Sequence, residues 1–184
     1  MESALLRTEV RLHSLTLMAN HVHQILTAST PKDLARYMQH WSQRYAVYRN
    51  RRRNGSGKVF EERYLSFPID SSERMAVATA YVEVNAWRAG LVAEPEFHRW
   101  STCAVHLGRA DLSRIPPGML TPSDWYLGLG TDPQKRADGY RAILASFYIG
   151  SVEPEYSAGL AHIEAHSWKR DHKRLERPDG RSAR

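Results

Sequence analysis

Residues 9–33, EVRLHSLTLMANHVHQILTASTPKD, contain the pattern from which the fold is read. Val10, Leu12, Leu15 and Leu17 give an imperfect apolar alternation between Glu9 and Met18, and a second apolar run extends from His21 to Leu26 beyond Ala19-Asn20. Such runs predict two short strands with a brief connection. Thr30, Pro31 and Asp33 then supply an N-cap residue, a proline at the first helical position and an acid in the first turn. Leu34, Tyr37, Met38, Trp41, Tyr45 and Tyr48 recur at helical spacing, which predicts a helix from about Pro31 to Arg49.

Further along, Arg49 to Lys58 combines an arginine-rich run with Asn-Gly-Ser-Gly and reads as a basic, flexible connection. A short strand is expected around Arg63 to Ile69. Asp70-Ser71-Ser72-Glu73 can cap a second helix with Val77, Ala80, Val84 and Trp87 as its apolar stripe and Gly90 as its stop. Tyr81 and Asn85, four residues apart, fall together on an adjoining face. After Trp100 the chain is rich in loop formers, before a last helix from about Pro133 to Ile149. Residues 1–150 are expected to form the folded domain, and residues 151–184 a polar, basic, mobile tail.

With 184 residues, 42% of them hydrophobic and 25% charged, the chain can bury the core of one domain and is neither fibrous nor wholly disordered. Lys and Arg number 26 against 20 Asp and Glu, a net charge of +6, which favours a polyanionic partner. The excess is concentrated. Residues 32–64 carry nine basic and three acidic side chains, and residues 162–184 carry seven and four. Cys103 is the one cysteine, so neither an internal disulfide nor a multi-cysteine zinc site can form, and a reducing, cytoplasmic compartment is expected. No membrane span and no signal peptide are expected: the longest run free of Lys, Arg, Asp and Glu, Leu12 to Pro31, is broken by His13, Asn20, His21, His23 and Gln24.

Three groups of residues could carry chemistry. His21 and His23, separated by one residue in a strand, project from the same face and can hold one metal ion; the alternative is a partly buried histidine pair. A tyrosine attacks a phosphodiester only when a cation polarises the phosphate or lowers the phenol's pKa of about 10. A metal held by His21, His23 and the side-chain oxygen of Asn85 would serve Tyr81 in this way, leaving positions open for phosphate oxygens. Otherwise Tyr81 flanks a core stripe and Asn85 is a helix-end residue. Arg36, Arg44, Arg49, Arg51, Arg52, Arg53, Lys58 and Arg63, interleaved with Tyr45 and Tyr48, suit single-stranded nucleic acid, or else form a solvated helix face. Glu61 and Glu62 read as surface charges, and no phosphate-binding glycine loop is present. A structural zinc site at the two histidines would be incomplete with only an amide to add.

Several motifs occur together in order: Met18-Ala19-Asn20-His21-Val22-His23, Ser42-Gln43-Arg44-Tyr45, Tyr48 to Arg52, Phe60-Glu61-Glu62-Arg63-Tyr64, Tyr81 to Val92, and Trp100-Ser101. Over residues 9–150 the chain thereby resembles the single-tyrosine HUH transposases (the IS200-like transposase domain), above all the REP-associated tyrosine transposases. The resemblance implies an α/β (α+β) fold, a ferredoxin-like antiparallel sheet with helices packed on it. It implies Tyr81 as nucleophile, His21, His23 and Asn85 as ligands of Mg²⁺ or Mn²⁺, and cleavage of single-stranded DNA beside a hairpin or palindromic repeat. A 5′-phosphotyrosine and a free 3′-OH would result. The rival reading is an inactive relative that binds DNA or RNA hairpins; monomer and homodimer are both compatible with the sequence.

Departures from the family pattern are Ala19 in place of proline, Ala86-Trp87 in place of Pro-Val, and Glu61 in place of glutamine. The family also places a strand and a long helix before the strand leading into the HUH motif, which here begins at His21. Without that strand, backbone groups and part of the core would be uncovered, at a cost of several kcal/mol out of a stability of about 5–15. The expectation is an upstream start, a decayed copy, or partial filling of the gap by residues 1–8 or another chain.

Overall fold

The computed structural model describes residues 1–148, in which strands β1 (Val10–Leu17) and β2 (Val22–Ala28) form an antiparallel hairpin. The imperfect alternation of β1 has a structural cause. The register shifts between Leu12 and Ser14, so His13 is the extra residue of a bulge and Leu12 and Leu15 end up on one face. That face buries Val10, Leu12 and Leu15 with Val22 and Leu26 beneath helices α1 (Glu2–Leu5) and α2 (Pro31–Arg52). Tyr37 and Trp41 of α2 enter the core beside Ala4 of α1, and Ile115 closes it from the C-terminal side.

The opposite face carries Ser14, Thr16 and His23, and helix α3 (Ser72–Arg88) packs there. Short helices α4 (Cys103–His106) and α5 (Asp124–Gly128) follow, then α6 (Pro133–Tyr148). The edge of β1 away from β2 is occupied by later segments: Leu17 N–H donates to Trp100 O (2.9 Å), Thr102 N–H to Leu15 O (2.9 Å), and Thr121 N–H to Leu12 O (2.8 Å). Mixed α/β architecture, an antiparallel sheet and helices on it agree with the expectation; among the described residues the sheet has two strands.

Two expectations meet a different outcome. Residues 63–69 form no strand: Leu65, Phe67 and Ile69 are 50%, 41% and 37% exposed. Pro68 lacks an N–H, and the segment finds no strand to pair with among the described residues. Helix α2 runs on to Arg52, beyond the predicted Arg49, and stops where Asn54 takes a φ of 47° and Gly55 N–H returns to Asn50 O at 2.9 Å. Residues 1–8, one of the expected ways of covering the gap, fill part of the core with one helical turn, burying Ala4 against Val10, Tyr37 and Trp41. The predicted tail, residues 151–184, lies outside the described residues. Among the described residues no helix is long and apolar enough to cross a membrane.

Candidate functional site

The histidine pair is set by the hairpin. Met18 N–H donates to His21 O (2.9 Å), leaving Ala19 and Asn20 as the two turn residues, and β2 starts at Val22. Alternation then sends Val22 into the apolar layer and His21 and His23 toward α3. Their ring centroids are 4.7 Å apart at an interplanar angle of 87°. Asn20 adds an orientation: His21 Nδ1–H donates to Asn20 Oδ1 at 2.7 Å, which leaves the ring's lone pair on Nε2. The Nε2 atoms of His21 and His23 are both shielded from solvent.

Helix α3 brings the tyrosine. Ser71 caps it, its side chain accepting from Arg74 N–H at 3.2 Å, and Gly90 ends it with a φ of +69°. Tyr81 is buried, 5% exposed, with its ring centroid 5.9 Å from that of His23 at 83°. Asn85 stands one helical turn on, half-buried. A proline at position 86 would remove a helix-interior N–H, whereas buried Ala86 lets α3 continue to Arg88. That extension places the Arg88 guanidinium carbon 5.5 Å from the centre of the Tyr81 ring, a cation–π contact the sequence reading did not anticipate.

The basic residues lie elsewhere. Arg36, Arg44, Arg49, Arg51 and Arg52 sit on α2, Arg53 at its C-cap, and Lys58 and Arg63 in the irregular segment that follows. All are exposed except half-buried Arg49, with Tyr45 and Tyr48 (45% and 57% exposed) among them. Because α2 covers the apolar face of the hairpin and α3 the polar one, the basic helix and the histidine–tyrosine cluster belong to different layers. Glu61 and Glu62 are exposed, and Lys58 Nζ donates to the Glu61 carbonyl.

A second polar cluster went unrecognised in the sequence. Glu83, fully buried, accepts from Ser14 Oγ (3.0 Å), Thr102 Oγ1, His106 Nδ1 (2.7 Å) and Tyr140 OH (2.7 Å). Burial alone would raise the Glu83 pKa, but the His106 charge and these hydrogen bonds outweigh it and hold the carboxyl below its ordinary range. Burial raises the pKa of Tyr140 well above the usual phenol value, so it serves as a hydrogen-bond donor. Cys103 is fully buried nearby and burial pushes its thiol pKa up, as befits a small core residue.

Residues 1–85, which include both histidines, the tyrosine and the asparagine, match the family described as "Transposase IS200 like". Over this part the chain is similar to the IS200-like transposases. No curated protein and no solved structure matches the chain. His21 and His23 are a pair of imidazoles that could serve as ligands to a divalent ion. The two imidazoles are adjacent, the lone pair of one is directed by Asn20, and among the described residues no third His, Cys, Asp or Glu joins them. A neutral oxygen such as that of Asn85 would complete the set, and two imidazoles suit Mn²⁺ better than Mg²⁺, which prefers oxygen ligands.

Proposed function

We propose that the chain is a metal-dependent endonuclease and strand transferase for single-stranded DNA, of the REP-associated kind, acting beside a hairpin or palindromic repeat with Tyr81 as nucleophile. The observation that carries this reading is the contact of His21, His23 and Tyr81 in one cluster on the α3 side of the hairpin. His21, His23 and Asn85 would hold Mn²⁺ or Mg²⁺, which when bound supplies the positive charge that polarises the scissile phosphate. Tyr81 Oη attacks phosphorus, the bond from phosphorus to the 3′ oxygen breaks, and the phenol's proton is balanced by one gained at that leaving 3′ oxygen. A 5′-phosphotyrosine and a 3′-OH result, and the reverse reaction with another 3′-OH joins a new end.

Arg88 stands over the Tyr81 ring and keeps a cation beside it, while Asn20 fixes the tautomer of His21. The arginines of α2 would track the backbone of the bound DNA, contributing affinity that falls with salt. Incubating the protein with hairpin-bearing single-stranded DNA and Mn²⁺ should give a protein–DNA species that survives a denaturing gel and disappears with EDTA. Retention of the hairpin without any covalent species, under the same conditions, would favour the inactive hairpin-binding relative instead.

A further inference from the structure

A cleft of about 380 Å³ opens on the same side of the sheet as the histidine–tyrosine cluster, between the start of α3 and the start of α5. Thr27 forms part of its floor, four residues along β2 from His23 and on the same face. At a strand rise of about 3.3 Å per residue the cleft begins roughly 13 Å from the histidines. That distance is about four base steps of 3.4 Å, so a DNA strand with a phosphate at the histidines can reach it with a nucleotide a few positions away.

The lining favours a neutral heteroaromatic ring over a phosphate. Met75 and the Trp125 ring give apolar surface for stacking, whereas one guanidinium, Arg11, faces two carboxylates, Asp70 and Asp124. Arg74 engages Asp70 at 2.8 Å, which leaves Arg11 and Asp124 as one donor and one acceptor for the edge of a base. The floor adds no charge. His13 shares its ring nitrogens with Thr121 O (2.7 Å) and Thr27 Oγ1 (2.8 Å), and its burial favours the neutral form. The volume lies within the range of small-molecule sites, about 300–1,000 Å³.

We infer that this cleft receives one unpaired base of the single-stranded DNA, a few nucleotides from the cleaved phosphate, and so helps to choose the cut position. The inference rests on the DNA-cleaving reading above. Its test is a scan of hairpin oligonucleotides, each lacking one base, bound to the full chain carrying Tyr81→Phe and followed by fluorescence anisotropy. One position should weaken binding by about five- to a hundredfold, the scale of a lost base–aromatic stack. Met75→Trp, which fills the cleft, should abolish that single-position sensitivity, as should Arg11→Met, an exposed change that leaves the core intact.

A profile with no sensitive position, or one unchanged in both variants, would overturn the cleft's role while leaving DNA binding in place. Failure to bind any oligonucleotide would overturn the DNA reading, and the occupant of the cleft with it.

Discussion

Helix α3 carries two polar side chains two residues apart that are built in opposite ways. Glu83 sits in a closed knot, its two oxygens taking hydrogen bonds from four side chains on β1, α6 and the region of α4. Tyr81 lies edge-on to His23 and beneath Arg88. A carboxylate with so many donors is fixed and has little capacity left for a ligand. A phenol beside two imidazoles is the arrangement on which the proposed cleavage rests. Burial and polarity alone therefore do not mark a site; what matters is which groups stand beside the buried one.

The largest effect that would break this comparison lies on the Tyr81 side. His21→Ala and His23→Ala are each expected to reduce covalent adduct formation to background while the melting temperature moves far less than in Glu83→Ala. Comparable melting losses in all three would mean that the histidines are core residues like Glu83.

Glu83→Ala should have the next effect, on folding rather than chemistry. Removing one partner of a buried pair costs about 3–5 kcal/mol, which leaves His106 buried without its carboxylate. For a domain of this size the melting temperature should fall by on the order of 10 °C, read by calorimetry. A fall of only a degree or two would show that the knot relaxes around the loss.

The pH dependence sharpens the same contrast. A carboxyl whose pKa is held below its ordinary value of 4.5 stabilises the fold fully above that value, and the contribution is lost as pH falls through the lower folded pKa. Melting temperature should therefore drop below about pH 4.5. Glu83→Gln should flatten that drop, and equal slopes in the two proteins would contradict the knot's role.

The smallest expected effect is that of Arg88→Ala. A cation–π contact is worth about 0.5–2 kcal/mol, so the single-turnover rate of adduct formation should fall by about two- to thirtyfold. Affinity for the hairpin should change less than the rate does; an equal loss in both would make Arg88 a phosphate contact instead.

Local patterns made much of this fold legible. Thr30-Pro31-Asp33 and Ser71-Glu73 mark helix starts that the structure realises, with Asp33 N–H donating to Thr30 Oγ1 at 3.1 Å. His21-Val22-His23 shows its shared face by alternation alone. Residues 63–69 read as a strand because Leu65, Phe67 and Ile69 alternate, but alternation cannot say whether a partner edge exists. The Glu83 knot joins residues 19 to 69 positions apart, a distance no local pattern spans. The course of α3 through Trp87 to Gly90 is legible, but the placing of the Arg88 guanidinium over the Tyr81 ring depends on side-chain conformation, which spacing does not fix.

The most direct test is to digest the covalent species formed with hairpin DNA and Mn²⁺ and locate the nucleotide by mass spectrometry. The account predicts a phosphonucleotide on Tyr81, and no covalent species from a folded Tyr81→Phe variant. A nucleotide on any other residue, or an adduct that persists in Tyr81→Phe, would contradict it.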